Sequence, residues 1–251
     1  MPPFPNNRRA AISLTYDDGV PAHNQHVGPE LAARGFHATF YANTDSDLIV
    51  NPDAWRSLAH AGHELGNHTV LHPCRRSDEL TNAEWLDITR DLKHFSLKRF
   101  DEEIRIANAV LKLIDGRDHR SYGNTCHNTT VGQPGEEISI EPVVKKLCSS
   151  ARGDLTQKII DPTTADLHNL GCFRADSRTL EDLKPEIDQT LQQSGWIIYC
   201  IHGVGPDAHP LHIDAHEHEK LLNHLTTLQP DLWVAPVHDV ATHIAQHVKK
   251  S

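Results

Sequence analysis

The 251-residue sequence has little positive charge and no long hydrophobic run. Lys and Arg number 24 against 34 Asp and Glu, so the formal net charge is -10 with histidine neutral. A chain of this charge repels a phosphate backbone unless a local basic patch overrides the field, which disfavours nucleic acid as a partner. No stretch approaches 18 consecutive apolar residues, so we expect no membrane segment.

The amino-terminal end lacks the features of a secretory leader. Residues 1–9 contain prolines and two arginines but no apolar segment of the signal-peptide type. As written, the chain is expected to be cytoplasmic, or secreted or periplasmic if a leader has been removed.

Cysteine is scarce and unpatterned. The five cysteines are odd in number and form no C-x-x-C pair, so neither a disulfide framework nor a zinc ribbon is indicated. We expect small buried thiols at all five positions: Cys74, Cys126, Cys148, Cys172 and Cys200.

Histidine, by contrast, is abundant. Hydrophobic residues make up 38% and charged residues 23% of the chain, which is typical of a folded globular domain, whereas 20 residues are histidine. Histidine is the commonest metal ligand and carries protons near neutral pH, so metal or acid/base chemistry is favoured.

Apolar runs rich in β-branched residues alternate with stretches of helical period, which indicates βα units around a mostly parallel sheet. Strands are predicted at 11–16, 37–42, 63–67, 119–123, 196–201 and 232–235. Helices are predicted at 24–35, 52–61 and 81–115. No linker or repeat divides the chain, so we predict one α/β domain over residues 1–251, a barrel-like fold with its core at about 10–245.

Capping boxes and polar segments complete this prediction. Thr81 with Glu84, and Asp214 with Glu217, have the capping-box spacing that predicts helix starts. Segments 124–138 and 151–178 have no clear period and are interpreted as long loops, which are often functional in compact domains.

Polar residues follow the predicted strands, where the working residues of α/β barrels lie. The first strand runs directly into Asp17, Asp18 and Gly19. Two adjacent carboxylates at the end of a buried strand repel each other unless a cation or hydrogen bonds compensate. The alternative is an ordinary Asp-Gly turn.

After the third strand come His68 and His72, whose i, i+4 spacing lets both rings share a zinc ion if they lie on one helical turn. The spacing alone decides nothing, because 20 histidines produce such pairs by chance and the sequence holds two more, His212/His216 and His243/His247. Position singles out the first pair, since it follows a strand and ends at Pro73.

The strand at 196–201 delivers His202, either a proton donor in an apolar setting or a satisfied core histidine. An Asp, two His and an open position for water form a hydrolase arrangement. The sequence has no G-x-S-x-G elbow, no phosphate loop and no G-x-G-x-x-G. A thiol nucleophile, from Cys126 beside His127 or Cys200 near His202, is not favoured.

The motifs resemble those of the polysaccharide deacetylase family, the NodB-homology esterases of carbohydrate esterase family 4. Residues 15–19, Thr-Tyr-Asp-Asp-Gly, match the family's T-[FY]-D-D-G, and residues 68–73 match its H-[ST]-x-x-H-P within a G-H-E-[IL]-G-N-H context. Residues 201–205 and 232–241 are similar to its last motif and its closing strand and helix. The resemblance spans about residues 10–244.

The resemblance implies a distorted (β/α) barrel and a metal-dependent hydrolase that removes N- or O-acetyl groups from an acetylated carbohydrate. Its implied metal ligands are Asp18, His68 and His72, with Asp17 as catalytic base and His202 as general acid. The implied cofactor is one divalent ion, expected to be Zn²⁺, with Co²⁺, Ni²⁺ or Mn²⁺ as alternatives. Oligomeric state is not predicted.

The third motif departs from the family pattern, because Thr125 stands in place of the expected proline and His127 in place of the expected glycine. This loop implies Tyr122 and Cys126 as substrate-binding residues, with an oxyanion donor near Cys126. Arg152 is the candidate to hold the base carboxylate. Two alternatives remain: a hydrolase of the same fold acting on a formyl or ureide bond, and a catalytically impaired carbohydrate-binding member.

Overall fold

A curled sheet of eight parallel strands forms the centre of the molecule in a computed structural model, which describes residues 2–76, 85–153 and 155–248. The strands are β1 (Ala10–Asp17), β2 (Thr39–Ala42), β3 (Glu64–Asn67), β4 (Ser121–Gly123), β5 (Ser150–Arg152), β6 (Phe173–Arg174), β7 (Trp196–Ile201) and β8 (Leu232–Val234). Their order is β5-β4-β3-β2-β1-β7-β6, and β8 pairs with the first half of β1. The predicted distorted (β/α) barrel is confirmed, as a curled half-barrel sheet surrounded by helices.

The two ends of the sheet are joined by the segment before β6. Leu170 forms a parallel bridge with Arg152 at the end of β5, and the chain then enters β6 at Phe173. The carboxyl ends of the strands therefore meet around one rim, where the following loops are placed side by side.

Strand β1 directs its side chains alternately into the barrel and towards the helices, as the two-residue period of a strand requires. Ile12 and Leu14 pack in the main hydrophobic core. On the opposite face, the Ser13 hydroxyl accepts from Trp196 Nε1, and Thr15 Oγ1 accepts from the guanidinium of Arg152. Asp17 continues this inner face and ends the strand at the rim.

Eight α-helices surround the sheet in the described part of the chain. They are α1 (Gly28–Ala32), α2 (Asp47–Val50), α3 (Pro52–His60), α4 (Leu97–Asp115), α5 (Glu141–Leu147), α6 (Leu180–Gln193), α7 (Ala215–Leu228) and α8 (Val237–His243). None of the helices in these described residues is both long and apolar enough to span a membrane.

One predicted helix start and one predicted capping box need correction. The helix expected at 81–115 begins only at Leu97, where the Ser96 hydroxyl accepts from the Arg99 amide; Thr81 and Glu84 lie outside the described residues. Asp214 does cap α7, but the Glu217 carboxylate accepts from Leu180 N instead of closing the box.

Both segments interpreted as loops contain regular structure. Residues 124–138 hold one strand of the short antiparallel pair Thr130–Val131 and Ile138–Ser139, and residues 151–178 contain all of β6 and most of β5. The six predicted strands all belong to the central sheet, and that at Trp196–Ile201 has the predicted bounds. The missed strands have two or three residues, too few to show a period.

Candidate active site

Asp17 is buried against Arg152. The guanidinium donates to both carboxylate oxygens, at 2.8 Å to Oδ1 and 2.5 Å to Oδ2, and its carbon lies 4.8 Å from the centre of the Tyr41 ring. Burial is the largest single effect and would raise the pKa of Asp17, but the charges of Arg152 and His68 and the hydrogen bonds from Arg152 together outweigh it and lower the pKa below the ordinary value. Asp17 therefore stays ionised although it is almost fully buried.

Asp18, His68 and His72 converge at the rim beside Asp17. Asp18 Oδ1 lies 3.5 Å from His68 Nε2 and 3.1 Å from His72 Nε2. The two histidines do not share a helical turn as expected, because Thr69 and His72 have left-handed backbones with φ of 69° and 53°. A tight turn brings the rings together, and the His72 amide donates to the Thr69 hydroxyl within it.

These three side chains fit a divalent cation. Their ligand atoms all lie within 4.8 Å of one another. The His68 Nδ1–H donates to the Gly123 carbonyl at 2.7 Å, which leaves the Nε2 lone pair facing the other two residues. Asp18 Oδ1 is buried without a hydrogen-bond partner in the described structure. Two imidazoles and one carboxylate form a donor set that suits zinc and similar ions.

His202 follows β7 and is held by Asp176. The Asp176 carboxylate accepts from the His202 amide at 2.9 Å and lies 2.7 Å from its ring Nδ1. Burial lowers the pKa of His202, but Asp176 together with the charges of Asp17 and Asp18 raises it above the ordinary 6.5. A ring nitrogen of His202 lies within 4.8 Å of an Asp17 oxygen, so both groups face the same space.

His209 belongs to the site but was not predicted from the sequence. Its ring stacks on His202 with centroids 5.2 Å apart, and its Nε2 lies 3.4 Å from Asp18 Oδ2. Its Nδ1 lies 3.0 Å from both the amide nitrogen and the carbonyl oxygen of Leu211, which anchors the ring at that nitrogen and leaves Nε2 facing Asp18. No local motif marks His209, which reaches the rim through the chain that follows His202.

Cys74 and Cys126 form a disulfide bond with their Cα atoms 5.7 Å apart. This corrects the expectation of five free thiols; Cys148, Cys172 and Cys200 are free and buried. Because β3 and β4 are neighbours, the loops that follow them meet, and each loop contributes one cysteine.

The loop after β4 contains two residues with left-handed backbone conformation, one of them at the position where the sequence departs from the family pattern. Cys126 and His127 have φ of 45° and 55°, a conformation that glycine adopts without steric cost. His127 occupies the position where the family pattern has glycine. The disulfide at Cys126 ties this strained loop to the turn that carries His72.

Tyr122 does not reach the site. Its ring is fully buried against Phe100 in a separate hydrophobic cluster, so its side chain contributes nothing to ligand binding at the rim. The thiol alternative also fails for Cys200, which is fully buried and whose pKa is raised by a hydrogen bond with Cys172 and by burial.

A cleft of about 770 Å³ opens over these residues, lined among others by Asp17, Asp18, His68, His72, Cys126, His202 and His209. The other two i, i+4 histidine pairs belong to no potential metal group among the residues that the structure describes. One of them is not helical throughout, since His212 lies in a two-residue strand.

Comparisons with known proteins agree with the sequence motifs. Residues 5–128 match the family model described as polysaccharide deacetylase. A gellan lyase from Bacillus sp. is 25% identical over 250 residues, which cover 96% of this chain but 10% of that protein. The chain thus spans about a tenth of the curated relative that it matches.

Solved structures share the fold at low identity. The peptidoglycan deacetylase PdaC from Bacillus subtilis has a TM-score of 0.56 and 18% identity, with 98% of this chain and 96% of that chain covered. A family 4 acetyl xylan esterase from Clostridium thermocellum has a TM-score of 0.57 and 17% identity, with 92% and 90% covered, and was solved with a cobalt ion.

Proposed function

We propose, since the chain belongs to the polysaccharide deacetylase family, that it is a metal-dependent hydrolase that removes acetyl groups from an acetylated carbohydrate. The observation that carries the proposal is the convergence of an Asp-His-His cluster, an arginine-held carboxylate and an aspartate-held histidine on one cleft. A module that only binds carbohydrate would need neither the arginine-held carboxylate Asp17 nor the aspartate-held histidine His202.

Asp18, His68 and His72 are the proposed ligands of one divalent ion, with zinc as the expected ion and cobalt, nickel or manganese as alternatives. When bound, such an ion supplies a Lewis acid for the acetyl carbonyl and lowers the pKa of water towards about 7. His68 is prepared for this role, because its hydrogen bond to Gly123 fixes the tautomer with Nε2 unprotonated.

Asp17 is the proposed base that takes a proton from the attacking water. Its lowered pKa keeps it ionised, and Arg152 holds both of its oxygens so that the carboxylate cannot rotate. Asp17 Oδ2 lies 3.9 Å from His68 Nε2, which places the base next to the proposed ion site. Arg152 is a positioning residue, since it acts through Asp17.

His202 is the proposed acid that protonates the departing amine or alkoxide. Its raised pKa favours the protonated ring, and the Asp176 carboxylate fixes Nδ1, so Nε2 is the nitrogen available for proton transfer. The backbone N–H of Cys126 is the proposed donor to the oxyanion, a type of contact whose removal elsewhere lowers the rate about 10²- to 10³-fold.

Acetate release from a panel of N- and O-acetylated oligosaccharides, with and without a chelator, tests the proposal. We expect release that stops with chelator, returns with zinc or cobalt, and falls about 10²- to 10⁴-fold in Asp17→Asn, the range typical of a lost general base. Formate or ureide hydrolysis without acetate release would favour the same-fold alternative. Carbohydrate binding without any hydrolysis would indicate an impaired member.

A further inference from the structure

The proposed catalytic cleft has a charge opposite to that of the whole chain. Among the residues that the structure describes, 18 line the cleft, and these include four arginines and no lysine: Arg75, Arg76, Arg90 and Arg174. Within this described part of the lining, the only carboxylates are Asp17 and Asp18, which face Arg152 and the histidines. In the full sequence acidic residues outnumber basic ones by 34 to 24. A basic cleft in an acidic chain selects ligands of negative charge.

Arg75 carries a positive charge that no carboxylate of the described structure neutralises. Its guanidinium donates to the carbonyl of Gly132 at 3.0 Å and to the hydroxyl of Thr130 at 3.1 Å, both uncharged acceptors. Among the described residues, no acidic group lies within ion-pair distance of Arg75. The arginine is therefore held in place beside the cleft with its charge available to a ligand.

Arg174 supplies a second charge in the lining of the same cleft. It ends strand β6, two residues before Asp176, and its side chain is exposed. Among the ion pairs of residues 2–76, 85–153 and 155–248, Arg174 has no partner. Arg90 differs, since Asp45 lies 2.8 Å from its Nη2 and neutralises part of its charge.

The apolar part of the cleft indicates a sugar ring as the carrier of the negative charge. Trp85 is 44% exposed and its ring lies 5.6 Å from that of His72, so a partly exposed aromatic side chain lies beside the proposed metal site. Pro210 and Leu211 line the same cleft. An exposed aromatic ring next to polar groups suits the C–H face of a pyranose, and the planar guanidinium matches a carboxylate.

We infer that the substrate is an acetylated acidic glycan, in which carboxylates of uronic acid residues contact Arg75 and Arg174 while the acetylated sugar lies over Trp85. This inference rests on the proposed function, because it assigns the substrate class of the same cleft.

A matched substrate pair tests the inference. One substrate is an acetylated oligouronide, and the other is the same oligosaccharide with its carboxyl groups reduced to alcohols. We expect kcat/KM to be about tenfold higher for the acidic substrate at low ionic strength, with the preference shrinking as added salt screens the charges. Equal kcat/KM values, or a preference that salt does not change, would overturn the inference.

Arg174→Ala should lower the ratio of the two kcat/KM values about two- to fivefold, as expected for one exposed ion pair. The matched control is Arg105→Ala, which removes a half-exposed arginine on α4 outside the cleft lining and should leave the ratio unchanged. Arg75→Gln, which retains a hydrogen-bond donor in the loop, should also lower the ratio. An unchanged ratio in both cleft variants contradicts the assignment.

Two further measurements separate this inference from the proposed function. If the protein hydrolyses an aryl acetate in a chelator-sensitive way but hydrolyses both oligosaccharides at equal rates, the proposed deacetylase function stands and the preference for an acidic substrate is refuted. If no acetylated compound is hydrolysed, calorimetry with the unacetylated oligouronide and its reduced counterpart still tests the cleft. Tighter binding of the oligouronide supports the inference, and equal or absent binding refutes it.

Discussion

Removing the Cys74–Cys126 disulfide should destabilise the protein and reduce its activity. The bond closes a segment of 52 residues, for which the chain-entropy relation gives a contribution of about 4 kcal/mol at 25 °C. For a chain of this size each kcal/mol corresponds to about 2 to 4 °C, so Tm should fall by roughly 8 to 16 °C. The bond also joins the turn of His72 to the loop of Cys126, so kcat/KM should fall as well.

Thermal unfolding with and without a reducing agent measures this contribution. The wild type should lose stability on reduction, whereas the double variant Cys74→Ser/Cys126→Ser should start at the lower Tm and show no response. Cys148→Ala, which removes a buried free thiol, is the control and should keep the response to reductant. A wild type whose Tm is indifferent to reductant, with a double variant of equal stability, would refute the reasoning.

Four other predictions concern the residues of the candidate active site. Asp17→Asn should retain bound metal, measured by elemental analysis, but lose turnover, whereas loss of both would make Asp17 a ligand. The pKa of His202 is raised above 6.5, so kcat/KM on an acetamide should decline on the alkaline side as His202 loses its proton. Asp176→Asn removes the carboxylate that raises this pKa and should move the decline to lower pH. An unchanged pH profile would refute the pairing of His202 with Asp176. His202→Ala should cost far more on an acetamide than on an aryl acetate, whose phenolate departs unaided, and equal losses would remove the acid role. His209→Ala should weaken metal affinity about 10- to 100-fold by freeing Asp18 Oδ2, measured by competition with a chelator; unchanged affinity would exclude this contact as a support.

The central strands and the rim residues that follow them were predictable because their patterns are local. β1 and β7 lie in the middle of the sheet, so both are long and apolar on at least one face. Since parallel strands end at one rim, Asp17, His68 and His202 had to lie near one another once their strands were assigned. The same rule explains why Arg152 reaches Asp17, because it ends the short strand β5.

Two errors had signals in the sequence that could have been used. Neighbouring residues of the predicted strand at 119–123 point to opposite faces, so only one of Ser121 and Tyr122 can face the barrel interior. In the structure it is Ser121, which bonds to Tyr41. Likewise, Cys74 and Cys126 each follow one of two adjacent predicted strands, which indicates neighbouring loops. Their separation of 52 residues conceals the pairing from any search for short spacings.

Other features were not predictable from local sequence. His209 reaches Asp18 only because the chain after β7 folds back, with His209 against Gly203 and the Leu211 amide on its ring. The basic character of the cleft also depends on the fold, since Arg75 and Arg174 are 99 positions apart in a chain that is acidic overall. Such sites are assembled by tertiary packing.

The most direct test of the metal assignment is an anomalous diffraction map of crystals loaded with zinc. We expect one strong peak at about 2.0 to 2.2 Å from an oxygen of Asp18 and from the Nε2 atoms of His68 and His72, a peak that His68→Ala abolishes. A peak on His212 and His216 instead, with no density between Asp18, His68 and His72, would contradict it.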